Sequence, residues 1–158
     1  MNSTKATSSE STVYSATPDE TFGIGEQIGA QLAGGEVVLL TGGLGAGKTL
    51  MTKGIARALD FDVDEVTSPS FALVNLYRAK FDVFHIDLWR IDEGIDAASV
   101  VGLYDLLDDR RAVIVIEWAE KLGQFSVDRP IIEIAIRGDG DDPREITICR
   151  RPYSSGAK

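Results

Sequence analysis

The stretch Val37-Val38-Leu39-Leu40-Thr41-Gly42-Gly43-Leu44-Gly45-Ala46-Gly47-Lys48-Thr49 carries an apolar run straight into a glycine-rich loop that closes on Lys-Thr. From Gly42 onward it matches G-x-x-x-x-G-K-[ST] at every position. Backbone N–H groups wrap a phosphate chain only where side chains leave room, and Gly42, Gly43, Gly45 and Gly47 leave it. Residues Gly43, Leu44, Gly45, Ala46 and Gly47 are thus candidate phosphate contacts. Lys48 supplies a point positive charge for β- and γ-phosphates. The hydroxyl of Thr49, expected at the first position of a helix, is placed to ligate Mg²⁺. Leu50, Ile55, Ala58 and Leu59 follow at helical spacing, so the local reading is strand, loop, helix.

Working outward, the 158 residues are enough for one domain with a sizeable core. A composition 44% hydrophobic and 26% charged is that of a soluble globular chain. No apolar run reaches the roughly 18 residues of a membrane span. Residues 1–16 are Ser/Thr-rich without an apolar segment, and read as a disordered tail rather than a secretory signal. Residues 17–150 form the expected domain, and 151–158 a flexible tail. Cys149 is the single cysteine, which excludes an internal disulfide and points to the reducing cytoplasm. Its strand setting, Ile146-Thr147-Ile148-Cys149, suggests a small half-buried residue. A formal charge of -9 argues against a surface that grips DNA or RNA directly.

In chain order, Thr17-Pro18-Asp19-Glu20-Thr21 opens a helix that carries Phe22, Ile24, Ile28 and Leu32 and ends at Gly34-Gly35. This helix is close enough to the loop to border a base pocket. Thr67-Ser68-Pro69-Ser70 is a hydroxyl-rich turn. Residues 71–77 and 81–87 read as an antiparallel hairpin across Arg78-Ala79-Lys80. Asp87 closes its second strand, and ligands of α/β sheets bind outside the carboxyl ends of strands. Residues 96–109 read as a helix. Ala112-Val113-Ile114-Val115-Ile116-Glu117 is a buried parallel strand ending in a second acid. Glu117 can hold a magnesium ion or orient water as a general base. A final strand pair flanks the acidic turn of residues 138–143, which lacks the spacing of a calcium loop. His85, the single histidine, shares a strand face with Asp87 and suits a packing or supporting role. The expected class is α/β, a P-loop NTPase-like three-layer fold with a mainly parallel central sheet and antiparallel additions.

The motif fits several classes. Neither N-K-x-D nor D-x-x-G occurs, which disfavours a GTPase. A small-molecule kinase needs an arginine-bearing lid, and between Asp87 and Glu117 only Arg90, Arg110 and Arg111 are present. A nucleotide-binding subunit without turnover would need neither acid.

Four segments in this order, residues 42–49, Ser68-Pro69-Ser70-Phe71-Ala72-Leu73-Val74, His85-Ile86-Asp87-Leu88-Trp89-Arg90 and Ile116-Glu117-Trp118, resemble the TsaE (YjeE) family across residues 17–148. The resemblance implies an ATPase of tRNA threonylcarbamoyladenosine synthesis, cytoplasmic, using ATP and Mg²⁺. It implies TsaD and TsaB as partners, with tRNA met only through their complex. On the same ground Lys48 holds phosphates, Thr49 and Glu117 bind magnesium, and Asp87 is an active-site acid; its place at a strand end makes Asp87 a third candidate magnesium ligand. Thr21 contacts the adenine side, Arg144 contacts nucleotide, and residues 68–70 resemble a switch-like segment. The chain departs from the pattern at Gly43, where Asp is usual, and at Trp89, Ser70 and Ala119, where Tyr, Thr and Pro are usual.

Overall fold

The computed structural model describes residues 7–69 and 71–153. Strand β1 (Ser9–Ser15) leads to helix α1 (Pro18–Ala30), which Thr17 caps by accepting the Glu20 N–H while Pro18 fills the first turn. Strand β2 (Val37–Gly42) feeds the glycine loop and helix α2 (Lys48–Ala58). Lys48 is therefore the first helical residue and Thr49 the second, one place later than expected. The antiparallel hairpin of β3 (Val74–Arg78) and β4 (Asp82–Asp87) follows, then the short helices α3 (Ala97–Val100) and α4 (Leu103–Leu106). Strand β5 (Val113–Glu117), a 3-10 turn (Ala119–Leu122) and the strands β6 (Ile131–Arg137) and β7 (Arg144–Arg151) complete the chain.

All seven strands join one sheet in the order β1-β7-β6-β2-β5-β4-β3. The four central strands β6, β2, β5 and β4 are parallel, and β7, β1 and β3 pair antiparallel at the flanks. Every residue of β5 and residues 37–40 of β2 are buried, because helices cover both faces. On one face α1 and α2 pack over Val38, Leu40, Val115, Ile134 and Ile146. On the other, Ala98, Leu103 and Ala119 close over Leu39, Ile114 and Ile116. The expected class, three layers on a mainly parallel sheet, is the one observed.

Several boundaries differ from the sequence reading. Residues 9–15 are not a disordered tail but a full strand, paired with β7 from Ser9↔Arg150 to Ser15↔Arg144. Backbone hydrogen bonds hold it, so its mostly exposed Ser/Thr side chains gave no apolar alternation to read. The sheet also takes in Arg151, beyond the expected end of the domain. The 96–109 helix is two short helices, interrupted where Gly102 takes φ 66. Residues 71–73 form a turn and β3 starts only at Val74. Ser70 and the outer parts of both expected tails, 1–6 and 154–158, lie outside the described residues. Arg129, unremarked in the sequence, is 3% exposed and spends its guanidinium on the carbonyls of Gly35, Ala112, Leu107 and Asp109, capping the end of α4.

Helices α1 and α2 approach so closely that a Cβ on Gly54 would lie 2.2 Å from the Phe22 carbonyl oxygen, and one on Gly25 would lie 2.5 Å from that of Met51. We expect Gly54→Val to destabilise the chain by about 1–3 kcal/mol through forced separation of the two helices. Gly23→Ala, where an added Cβ meets nothing within 4 Å, should be neutral or stabilise by up to about 1 kcal/mol. Urea denaturation of both variants checks this, and equal midpoints would count against the packing argument.

Candidate functional site

The site lies outside the carboxyl ends of β2, β4 and β5, where chain connections diverge to either side of the central strands. Gly42, Gly45 and Gly47 take φ of 151, 73 and 117, values that a side chain would strain. Gly43 differs: its φ is not positive and an added Cβ would meet nothing within 4 Å, so the fold does not demand glycine there. Gly47 caps α2, whose first-turn N–H groups have no acceptor within the helix and so face the loop's concavity.

Lys48 is 6% exposed, and its Nζ donates to the carbonyls of Gly42 and Gly43 at 2.8 and 2.7 Å. The ammonium also sits 4.0 Å from the centre of the Trp118 ring. Burial lowers the lysine pKa, partly offset by the charge of Glu117. Trp118 itself takes φ 58, left-handed backbone that costs a bulky residue of order 1–3 kcal/mol. It is held there against Trp89, with ring centres 4.5 Å apart, and beneath Lys48.

Strands β4 and β5 end in register, Asp87 opposite Glu117. Glu117 is 2% exposed; Oε1 accepts from the Thr49 hydroxyl at 2.8 Å and Oε2 lies 2.7 Å from His85 Nε2. Asp87 accepts from the Ser68 hydroxyl at 2.6 Å and from the Trp89 N–H at 2.8 Å. One hydroxyl and one or two carboxylates form a donor set that suits Mg²⁺, which keeps waters and shares phosphate oxygens. Among the described residues no group of three His, Cys, Asp or Glu side chains is arranged to hold a metal unaided.

Two adjoining cavities share Gly45, Gly47 and Leu50. One, of about 300 Å³, is lined by Lys48, Thr49, Asp87, Glu117, Trp89 and Trp118. The other, of about 190 Å³, runs between the start of α1 and the β6–β7 turn and is lined by Thr17, Thr21, Asp141 and Arg144. Thr21 is 3% exposed, and its hydroxyl is 2.7 Å from that of Ser15. Arg144 holds the glycine loop to the hairpin turn: Nε donates to the Ala46 carbonyl at 3.0 Å, while other N–H groups reach the carbonyls of Gly45, Gly140 and Asp142.

The structure thus gathers Lys48, Thr49, Asp87 and Glu117 around one cavity and Thr21 with Arg144 around its neighbour. Sequence reasoning did not assign Tyr77, whose hydroxyl reaches His85 at 2.8 Å, nor Trp118. Trp118 follows Glu117 directly and was legible as a neighbour. Tyr77 meets the site only through strand pairing.

The family model described as threonylcarbamoyl adenosine biosynthesis protein TsaE matches residues 15–146. The tRNA threonylcarbamoyladenosine biosynthesis protein TsaE of Mycobacterium bovis is 38% identical over 113 residues, 67% of this chain and 67% of that protein. The protein of the same name from Aquifex aeolicus is 34% identical over 138 residues, 84% of this chain and 91% of the relative. Among solved structures, the crystal structure of Bacillus subtilus YdiB superposes with a TM-score of 0.70 at 28% identity, covering 94% of this chain and 88% of that one.

Since Arg144 is what joins the loop to the hairpin, Arg144→Ala should loosen the loop. Amide hydrogen exchange at residues 45–47 should accelerate roughly tenfold or more, with exchange in β5 unchanged. Unaltered loop exchange would mean that the guanidinium contacts carry no weight.

Proposed function

This chain belongs to the TsaE family, and from that premise we propose that it is a cytoplasmic, Mg²⁺-dependent ATPase whose nucleotide cycle acts on a TsaD–TsaB complex. That complex would install threonylcarbamoyl on the adenosine next to the anticodon of tRNA. The chain would not itself transfer the group, and would meet tRNA only through its partners. The observation that carries the reading is the hydrogen bond from the Thr49 hydroxyl to Glu117 at 2.8 Å, set at the mouth of a complete phosphate loop. It brings together the hydroxyl and the strand-end acid that P-loop enzymes use for Mg²⁺.

In this reading the base enters the cavity bordered by Thr21 and Arg144, and the phosphates lie along residues 43–48. Lys48 exchanges the carbonyls of Gly42 and Gly43 for phosphoryl oxygens. Its lowered pKa reflects burial, and contact with phosphate favours the charged form. Arg144 contributes by fixing the loop, since four carbonyls already take its N–H groups. Thr49 and Glu117, with Asp87 beside them, are the residues that would hold Mg²⁺, which when bound neutralises charge on the phosphates. Glu117 or Asp87 orients the attacking water. The paired tryptophans line the same cavity beside Lys48.

The arginines that a kinase lid would need are engaged elsewhere, which disfavours the alternative of a small-molecule kinase. Arg90 stacks 4.7 Å from the centre of the Phe71 ring, Arg110 pairs with Asp128 at 3.0 Å, and Arg111 lies over Phe81. Among the described residues no helix is long and apolar enough to cross a membrane. The net charge of -9 suits docking on protein partners better than gripping a nucleic acid.

ATP hydrolysis by the purified chain should rise when TsaD and TsaB are added without any small-molecule acceptor. Lys48→Ala should weaken ATP binding roughly 100-fold or more, about 2.8 kcal/mol, by titration calorimetry. Glu117→Ala should leave nucleotide binding largely intact and lower turnover roughly 100-fold. Unstimulated activity alongside phosphate transfer to a metabolite in an acceptor screen would favour the kinase, and tight binding by the Lys48 variant would refute its phosphate role.

A further inference from the structure

Behind Glu117 runs a buried polar chain that the site chemistry above does not use. Tyr77, His85 and Glu117 are 4%, 0% and 2% exposed. The Tyr77 hydroxyl lies 2.8 Å from His85 Nδ1, and His85 Nε2 lies 2.7 Å from Glu117 Oε2. The same hydroxyl reaches the Thr67 backbone carbonyl at 3.0 Å, which also accepts from the Asn75 amide at 3.1 Å. One residue on, Ser68 donates to Asp87 at 2.6 Å.

We infer that Tyr77 and His85 are positioning residues: they fix the orientation of the Glu117 carboxylate and tie it to the 67–68 segment that also holds Asp87. The inference rests, for its kinetic part, on Glu117 serving ATP turnover as proposed above. The contact geometry supports it. A carboxylate oxygen only accepts, so Nε2 carries a proton toward Glu117. The phenolic oxygen donates to the Thr67 carbonyl and lies against the ring at Nδ1, so it links residue 67 to the imidazole. A shift of residue 67 therefore moves the phenol against the imidazole, and so changes how firmly the imidazole holds Glu117. The same shift moves Ser68 against Asp87. One short segment thereby governs both acids, one directly and one through two buried side chains.

Plain core packing is the competing account, and the two separate cleanly. The Tyr77 ring stacks on Phe61 with centres 4.7 Å apart, so Tyr77→Phe keeps the stack and removes only the hydroxyl. With TsaD and TsaB present, Tyr77→Phe should lower kcat for ATP roughly 3–10-fold, the range of one neutral hydrogen bond, with KM within about twofold. His85→Gln, whose amide N–H can still donate to Glu117, should recover most of the kcat lost in His85→Ala. Because His85 is the single histidine, ¹⁵N-histidine labelling gives one imidazole signal set. The full-length wild type should show a proton on Nε2, and the Nδ1 resonance should move in Tyr77→Phe. Wild-type kcat and an unmoved Nδ1 resonance in Tyr77→Phe would overturn the inference, as would His85→Gln no better than a folded His85→Ala. If His85→Ala fails to fold, Tyr77→Phe decides alone. If the wild type hydrolyses no ATP, the functional reading falls and the imidazole spectrum still decides the coupling.

Discussion

Two carboxylates at paired positions on neighbouring parallel strands set the central constraint of this structure. Asp87 and Glu117 face each other in register at the ends of β4 and β5, where backbones run about 4.8 Å apart. Like charges so close disfavour one another unless each has its own donors. The chain meets this with two separate sets: Ser68 and the Trp89 N–H for Asp87, Thr49 and His85 for Glu117. The four donors come from α2, from β4 and the residues just after it, and from the 67–69 segment, so the site exists only when all three are in place.

The rest of the architecture keeps those elements fixed. Close packing of α1 on α2 ties the wall that carries Thr21 to the loop's own helix. Arg144 pins the loop from the opposite side, through the β6–β7 turn. That turn is in turn anchored by the seven-residue pairing of β1 with β7, which gives an otherwise plain Ser/Thr-rich segment a structural task. Trp118 shows where strain is accepted: a left-handed residue directly after Glu117, kept in place by a ring on one side and an ammonium on the other.

What the sequence disclosed followed physical locality. The glycine loop, Lys48 and Thr49 are contiguous, and Asp87 and Glu117 each close an apolar run, so spacing and period revealed them. The three layers followed from the unbroken apolar run that leads β5 up to Glu117. Strand β1 stayed hidden because an exposed edge strand is held by its backbone, which leaves no pattern in side-chain polarity. The break at Gly102 was hidden because a lone glycine inside an apolar period is compatible with a helix. The Tyr77–His85 contact depends on hairpin register, with Asn75 opposite His85 and Tyr77 opposite Val83, which no local signal specifies. Arg144 was read toward nucleotide, whereas its N–H groups go to loop and turn carbonyls, a distinction that only distances make.

The stacking of Trp89 on Trp118 has an optical consequence. These are the only two indoles in the chain, and both line the cavity beside Lys48. With ring centres 4.5 Å apart, their excited states couple, and a cation lies over one of them. Absorption at the red edge of the near-ultraviolet band, and the emission excited there, therefore belong to the site alone. Tyrosines elsewhere contribute only at shorter wavelengths. The protein carries a built-in optical probe of its own phosphate-binding loop, without a label and without background from the remaining fold.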